Sequence, residues 1–218
     1  MSKDLSFDVF LQHVDKKILE TSAAQKNQLG LFLDLLIEWN SKINLISRNE
    51  KNIIDRHFLN SACVAHFFTP DSHEKIIDIG SGGGFPGIIL KILFPHAHFV
   101  LIDSIKKKTN FLKLVVRELG LTNIDIINDR AENISSLEAF YKSFDFVTAR
   151  AVSSLDSLIS LSDPFLKQKG KMLFLKGRNY EEEITKASFG PWQFETCSLS
   201  SVAENQDGVI LLISMGKN

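Results

Sequence analysis

Over the first seventy residues the apolar positions recur with helical spacing. Phe7, Phe10, Leu11, Val14, Ile18 and Leu19 form one stripe, and Leu29, Phe32, Leu33, Leu36 and Trp39 form a second. Both follow the three-and-four spacing that places side chains on one helix face. Ser22-x-x-Gln25 precedes the second stripe in the form of a capping box. A third helix is expected to open at Ser47, where Ser47-x-x-Glu50 repeats that form, and to carry Ile53, Ile54, His57, Phe58 and Phe68 until Pro70 stops it. Residues 1–70 therefore read as an N-terminal helical cap, and residues 71–218 as the core.

From residue 75 the pattern changes to short apolar runs alternating with amphipathic stretches: "KIIDIG", "GIILKIL", "HFVLID", "KKKTNFLKLVVREL" and "NIDIIND". Strand, helix, strand, helix, strand is the signature of βαβ units and a parallel sheet. "FDFVTAR" and "KMLFLKG" supply two further strands, with a helix around Leu155–Leu161 between them opened by Ser153-x-x-Asp156. "WQFETCSL" and "GVILLISM" are joined by a polar loop too short for a crossover helix, so they are expected to pair as an antiparallel hairpin. The prediction is an α/β fold with a mostly parallel seven-stranded sheet.

Composition narrows the class without choosing a ligand. With 218 residues, 44% of them hydrophobic and 23% charged, the chain is long enough for one sizeable core. A formal net charge of −1 gives no global attraction to polyanions, so any contact with nucleic acid must come from a local basic surface. The N-terminus "MSKDLSFDVFLQHVDKK" has no uninterrupted apolar region, and no stretch reaches the length of a membrane span. A cytoplasmic protein without membrane attachment is expected, acting as a monomer. Cys63 and Cys197 lie far apart and outside any C-x-x-C spacing, which points to free thiols rather than a disulfide or metal site.

"DIGSGGGFPG", residues 78–87, places bare backbone directly after the first strand. Gly82, Gly84 and Gly87 fit G-x-G-x-x-G, with Asp103 about twenty residues on, which is the dinucleotide fingerprint. Asp78, Gly80, Gly82 and Gly84 also fit D-x-G-x-G-x-G. The acid at position 78 sits badly beside a pyrophosphate, which needs amides and a helix N-terminus. It suits a ligand with an ammonium group, as in S-adenosylmethionine. Asp103 can accept from two ribose hydroxyls in either case.

Five parallel strands followed by a hairpin look like the class I S-adenosylmethionine-dependent methyltransferase architecture rather than two matched mononucleotide halves. "EWNSKINLIS", "RHFLNS", "DIGSGGGFPGI", "LIDSIKKKTNFL", "DRAE", "ARAV" and "LKG", in that order, together resemble the bacterial 16S ribosomal RNA guanine-N7 methyltransferases of the glucose-inhibited division protein B type. The resemblance implies S-adenosyl-L-methionine as methyl donor and the small ribosomal subunit or its 16S RNA as partner. It implies donor contacts at Gly80, Phe85, Ala131, Glu132 and Arg150. Asn60 stands where the family usually has aspartate, and Ile89 where proline is common.

Independently of the family, "DRAEN" follows the apolar run "NIDII" at the carboxyl end of a strand, where ligands collect in open α/β sheets. Guanine N7 carries a lone pair and no proton, so its methylation needs alignment rather than a general base. No Ser-His-Asp or Cys-His constellation is evident, and no catalytic residue is assigned. Arg150, Lys176 and Arg178 follow strands at the same rim and are candidates for acceptor contact, as are Asn44, Arg48, Arg56 and His57 in the cap. Lys106, Lys107 and Lys108 open a helix where their charge opposes the helix dipole, which suggests contact with an RNA backbone. A nicotinamide-dependent oxidoreductase, a methyltransferase acting on protein or a small molecule, and a non-catalytic RNA-binding factor are the rival readings.

Overall fold

The computed structural model describes residues 3–18, 20–67, 74–150, 152–177, 179–202 and 208–216. Leu19, Phe68, Pro70 and Arg178 lie outside them.

Helices α1 (Lys3–Lys17) and α2 (Ala23–Asn40) follow the two apolar stripes. The capping box at α2 forms as expected: Gln25 N–H donates to Ser22 Oγ at 3.2 Å, and Ser22 N–H donates to Gln25 Oε1 at 2.9 Å. Polar residues of α2 then dock it. Gln25 Nε2 donates to the carbonyls of Ile92 and Leu93, and Gln28 Nε2 to that of Leu119. These are carbonyls at helix C-termini, which have no partner within their own helix.

The third helix does not begin at Ser47. Glu50 N–H returns to the Ser47 carbonyl in a turn, and the Glu50 carboxylate accepts from Asn52 N–H and pairs with Arg56. It is therefore turned away from the reciprocal bond that a capping box requires. Regular structure starts as a π-helical segment, Ile54–Leu59, which runs into α3 (Asn60–Cys63) and a 3-10 turn, Val64–Phe67.

The core proceeds through β1 (Lys75–Ile79), α4 (Gly87–Leu93), β2 (His98–Ile102), α5 (Lys106–Glu118), β3 (Ile124–Ile127), α6 (Ala131–Ile134) and β4 (Phe144–Arg150). It continues with α7 (Leu155–Ser162), β5 (Leu166–Lys176), α8 (Tyr180–Lys186), β6 (Trp192–Ser198), α9 (Leu199–Val202) and β7 (Val209–Met215). Ser154, not Ser153, caps α7: its hydroxyl accepts from Ser157 N–H, whereas the Ser153 hydroxyl donates to the Ser154 carbonyl.

The seven strands form one sheet in the order β3-β2-β1-β4-β5-β7-β6. β1 to β5 pair in parallel, and β7 enters antiparallel between β5 and β6. The hairpin thus closes backwards on the sheet, leaving β6 outermost. One face is covered by a continuous apolar layer that unites Phe10 and Val14 of α1, Phe32 and Leu36 of α2, and Ile88, Phe111 and Leu173 of the core. The other face packs Ile77, Val147, Ala149 and Phe174 under Leu155, Leu158 and Ile159 of α7. Both cysteines are free, and burial pushes the Cys63 thiol up to about 12, leaving it protonated and unreactive. No helix among the described residues is long and apolar enough to cross a membrane.

Candidate functional site

The carboxyl ends of β1 and β2 meet at the glycine loop. Gly80 takes φ +68°, and a Cβ there would lie 2.7 Å from Val152 Cγ2. Only glycine fits both the left-handed conformation and the close approach. Ser81 N–H donates to the Ile102 carbonyl, tying the loop to the end of β2, and Gly84 N–H closes a turn onto the Ser81 carbonyl.

Asp103 is the pivot of this region. One carboxylate oxygen accepts from Gly82 N–H at 2.9 Å and the other from Ile105 N–H at 2.8 Å. A carboxylate offers about four lone-pair positions, so each oxygen retains acceptor capacity for a further donor. Asn128 Nδ2 donates to the Asp103 carbonyl and joins the end of β3 to the same spot.

Above these strand ends opens a cleft of about 850 Å³, within the size range of small-molecule sites. Gly80, Asp103, Ala131 and Glu132 all line it, together with Ile105 and Val152. The acids Asp103, Asp129, Glu132 and Asp156 outnumber the cations Lys108 and Arg130 in this lining. Such a wall favours a cationic ligand over a pyrophosphate.

Asp78 is elsewhere. Expected beside an ammonium group, it is fully buried, outside the cleft lining. Its Oδ1 accepts from Thr148 Oγ1 at 2.8 Å, and its Oδ2 faces the start of α4, where a Cβ on Gly87 would come within 2.8 Å. Burial raises its carboxyl to about 7, against the lowering effect of hydrogen bonds from Thr148 and its neighbours. Asp78 therefore supports the glycine loop from beneath.

Comparison with known proteins fits this geometry. The sequence pattern of the family described as rRNA small subunit methyltransferase G matches residues 25–209. The Ribosomal RNA small subunit methyltransferase G of Lactococcus lactis subsp. cremoris is 41% identical over 182 residues, 83% of this chain and 76% of that protein. The chain belongs to the rRNA small subunit methyltransferase G family.

The protein of the same name from Streptococcus gordonii is 41% identical over 180 residues, covering 82% of this chain and 76% of its own. Among solved structures, a SAM-dependent methyltransferase from Aquifex aeolicus superposes with a TM-score of 0.56 at 11% identity, over 77% of this chain and 94% of its own. That likeness is one of fold.

The remaining candidate residues distribute unevenly around the rim. Phe85 is buried, its ring packed against Phe32, Phe58 and His57 at centroid distances of 5.1–5.5 Å, so its side chain anchors the glycine loop to the N-terminal helices and does not line the cleft. Asn40 Oδ1 accepts from Leu45 N–H and Ile46 N–H, folding residues 41–46 onto Gly83, where a Cβ would lie 3.2 Å from the Leu45 carbonyl oxygen. The exposed Asn44 and Arg48 follow on this loop and bond each other at 2.8 Å. Asn60 is buried in α3.

Arg150 ends β4 and turns toward the N-terminal helices, where its Nη1 meets His57 Nδ1 at 3.0 Å. Burial and the charge of Arg56 lower the guanidinium to about 10, opposed by Glu50, and it stays cationic at neutral pH. Lys106 is exposed at the start of α5.

Lys176 departs from expectation. Its ammonium is buried, pairs with Glu183 at 2.7 Å and donates to the Ser153 carbonyl at 3.1 Å. The strand ending at position 176 is covered by α8, whose acidic first turn meets it. Sequence reasoning passed over Thr148 and Glu50. Thr148 is adjacent to Asp78 only through strand register, and Glu50 reads locally as a helix cap.

Proposed function

We propose that this protein transfers a methyl group from S-adenosyl-L-methionine to N7 of one guanosine in the 16S RNA of the small ribosomal subunit. The observation that carries the donor assignment is the acid-rich cleft with Asp103 held at its floor. Asp103 would accept from the ribose hydroxyls, bare backbone at Gly80 would run beside the methionine portion, and Ala131 and Glu132 would border the adenine.

S-adenosylmethionine supplies an electrophilic methyl on a cationic sulfonium. Guanine N7 already presents a lone pair, so the chain has no proton to remove there, and its task is alignment and exclusion of water. The loop at residues 41–48 is seated on Gly83, and Arg150 stands at the carboxyl end of β4 with its guanidinium against His57, two residues before Val152 of the cleft wall. Arg150 supplies donors to an oxygen of the bound ligands, with Asn44 and Arg48 on the acceptor side. Lys106 and Lys107 meet RNA phosphates.

The test is transfer of labelled methyl to small subunits from cells lacking the enzyme, followed by nucleoside analysis. Label recovered as 7-methylguanosine at one position supports donor, acceptor and atom together. Donor binding without labelled RNA would favour a protein or small-molecule acceptor. Binding of a nicotinamide cofactor in place of the methyl donor would overturn the reading.

A further inference from the structure

Arg150 has five N–H donors and no acceptor. Its 3.0 Å contact with His57 Nδ1 therefore makes that nitrogen the acceptor, and the neutral ring carries its proton on Nε2. Neutrality is enforced: burial, then the charges of Arg150 and Arg56, push the imidazole down to about 3.

Three features hold the ring in place. Glu50 Oε2 lies 3.8 Å from Nε2 and is itself anchored by Arg56 Nη1 at 3.2 Å. Phe85 of the glycine loop packs against the ring with centroids 5.1 Å apart. The backbone beneath is the π-helical segment Ile54–Leu59, a rare conformation frequent at functional sites. The Nε2 atom is shielded from solvent and makes no hydrogen bond, Glu50 Oε2 lying beyond hydrogen-bond distance, so the ring's polar contact is the one from Nδ1 to the guanidinium. Neither His57 nor Arg150 lines the cleft, but Arg150 ends β4 two residues before Val152, which does.

We propose that His57, steered by Glu50 and Phe85, is a positioning residue that accepts from Arg150 and fixes its guanidinium at the rim, so that the remaining N–H groups face an oxygen of the bound ligands. This rests on the reading of Arg150 as a ligand-facing residue. With one edge of the planar fork held by imidazole, the fork is pre-oriented before ligand arrives, and less side-chain freedom is lost on binding. The oxygen is either a carboxylate of the donor or an acceptor oxygen of the RNA. The first would appear in donor affinity, the second in KM or kcat for small subunits.

The experiment compares wild type with Arg150→Met, His57→Phe, His57→Gln, His57→Asn and the double variant His57→Phe/Arg150→Met. Donor affinity is measured by calorimetry, and methyl transfer on small subunits. An Asn side chain can place its carbonyl oxygen near the Nδ1 position, whereas the Gln oxygen falls nearer Nε2. Arg150→Met should lower the affected parameter about tenfold or more, in keeping with a lost charge-assisted hydrogen bond. His57→Phe and His57→Gln should lower the same parameter to a similar extent, and the double variant should be no worse than Arg150→Met. His57→Asn should stay within about threefold of wild type, and it serves as the variant that keeps both fold and acceptor.

If Arg150→Met is impaired while His57→Phe is not, the positioning role is wrong and the reading of Arg150 stands. If His57→Asn is as poor as His57→Phe, or if His57→Phe adds to Arg150→Met in the double variant, His57 only fills space and the proposal fails. If Arg150→Met behaves as wild type, the assignment of Arg150 fails first and this inference with it.

Discussion

Thr148 Oγ1 on β4 donates a 2.8 Å hydrogen bond to Asp78 Oδ1 on β1, between two side chains that are both fully buried and directly opposite in strand register. The bond crosses the sheet at the point where the strand order reverses, immediately beneath the glycine loop. It places a carboxyl group where burial, more than any neighbouring charge, sets its protonation.

That placement makes stability depend on pH with a definite sign. The carboxyl of Asp78 is raised from 3.8 to about 7, so between those values the folded chain holds a proton that the unfolded chain has lost. Its contribution is complete below 3.8 and is lost as pH rises through about 7. Denaturant unfolding from pH 4 to pH 8 should show the wild type losing stability relative to Asp78→Asn, with a difference in slope of up to about 1.4 kcal/mol per pH unit. Parallel profiles for the two proteins would show that Asp78 is ionised throughout.

Much of the fold was legible because its signals are local. The capping box at Ser22 and Gln25, the apolar stripe of α2 and the alternation from β1 to β3 each depend on neighbours within a few residues. Ser47-x-x-Glu50 has equally good local form, but Glu50 is drawn to Asn52, Arg56 and the vicinity of His57. Gly80, Asp103, Ala131 and Glu132 were readable because each follows the end of a strand, and the carboxyl edge of a parallel sheet is where a cleft opens. Asp78 and Lys176 were harder to place, since their partners Thr148 and Glu183 come from a neighbouring strand and a covering helix. Residue type announced a charge in each case, and only tertiary packing determined that it faces inward.

Asp103 is predicted to govern donor affinity more than turnover. In Asp103→Ala the amides of Gly82 and Ile105 lose their acceptor and the cleft loses its floor carboxylate. Affinity for S-adenosylmethionine, followed by calorimetry, should fall by about tenfold or more. Asp103→Asn, which keeps one acceptor oxygen, should lie between Ala and wild type. An unaltered affinity in Asp103→Ala would place the donor elsewhere.

Gly80 separates two costs that usually occur together. Gly80→Ala introduces a Cβ 2.7 Å from Val152 Cγ2 and also strains a backbone at φ +68°. The variant should lose about 1–2 kcal/mol of stability from the left-handed conformation alone, with the contact adding to it. Adding Val152→Ala removes the contact and leaves the strain, so the double variant should recover only part of the loss in denaturant unfolding. Complete recovery would mean that the loop relaxes to another conformation and that φ at residue 80 is not fixed.

Lysines at the rim should differ in their response to salt. Lys106 and Lys107 are exposed at the first turn of α5, where the helix dipole opposes their charge, so helix stability gives no reason for their presence. If they neutralise RNA phosphates, Lys106→Ala/Lys107→Ala should weaken binding to small subunits and reduce the slope of log K against log salt by about 1.5, the value for two counterions released. Lys176 makes the opposite prediction. Its ammonium is committed to Glu183 and the Ser153 carbonyl, so Lys176→Met should leave the salt slope as it is while lowering stability by about 1–2 kcal/mol through the partners left unpaired. Measuring both variants in one titration series keeps electrostatic steering distinct from loss of fold. A flatter slope for Lys176→Met would show that the pair with Glu183 opens when RNA arrives, and an unchanged slope for the double alanine variant would remove the start of α5 from the RNA interface.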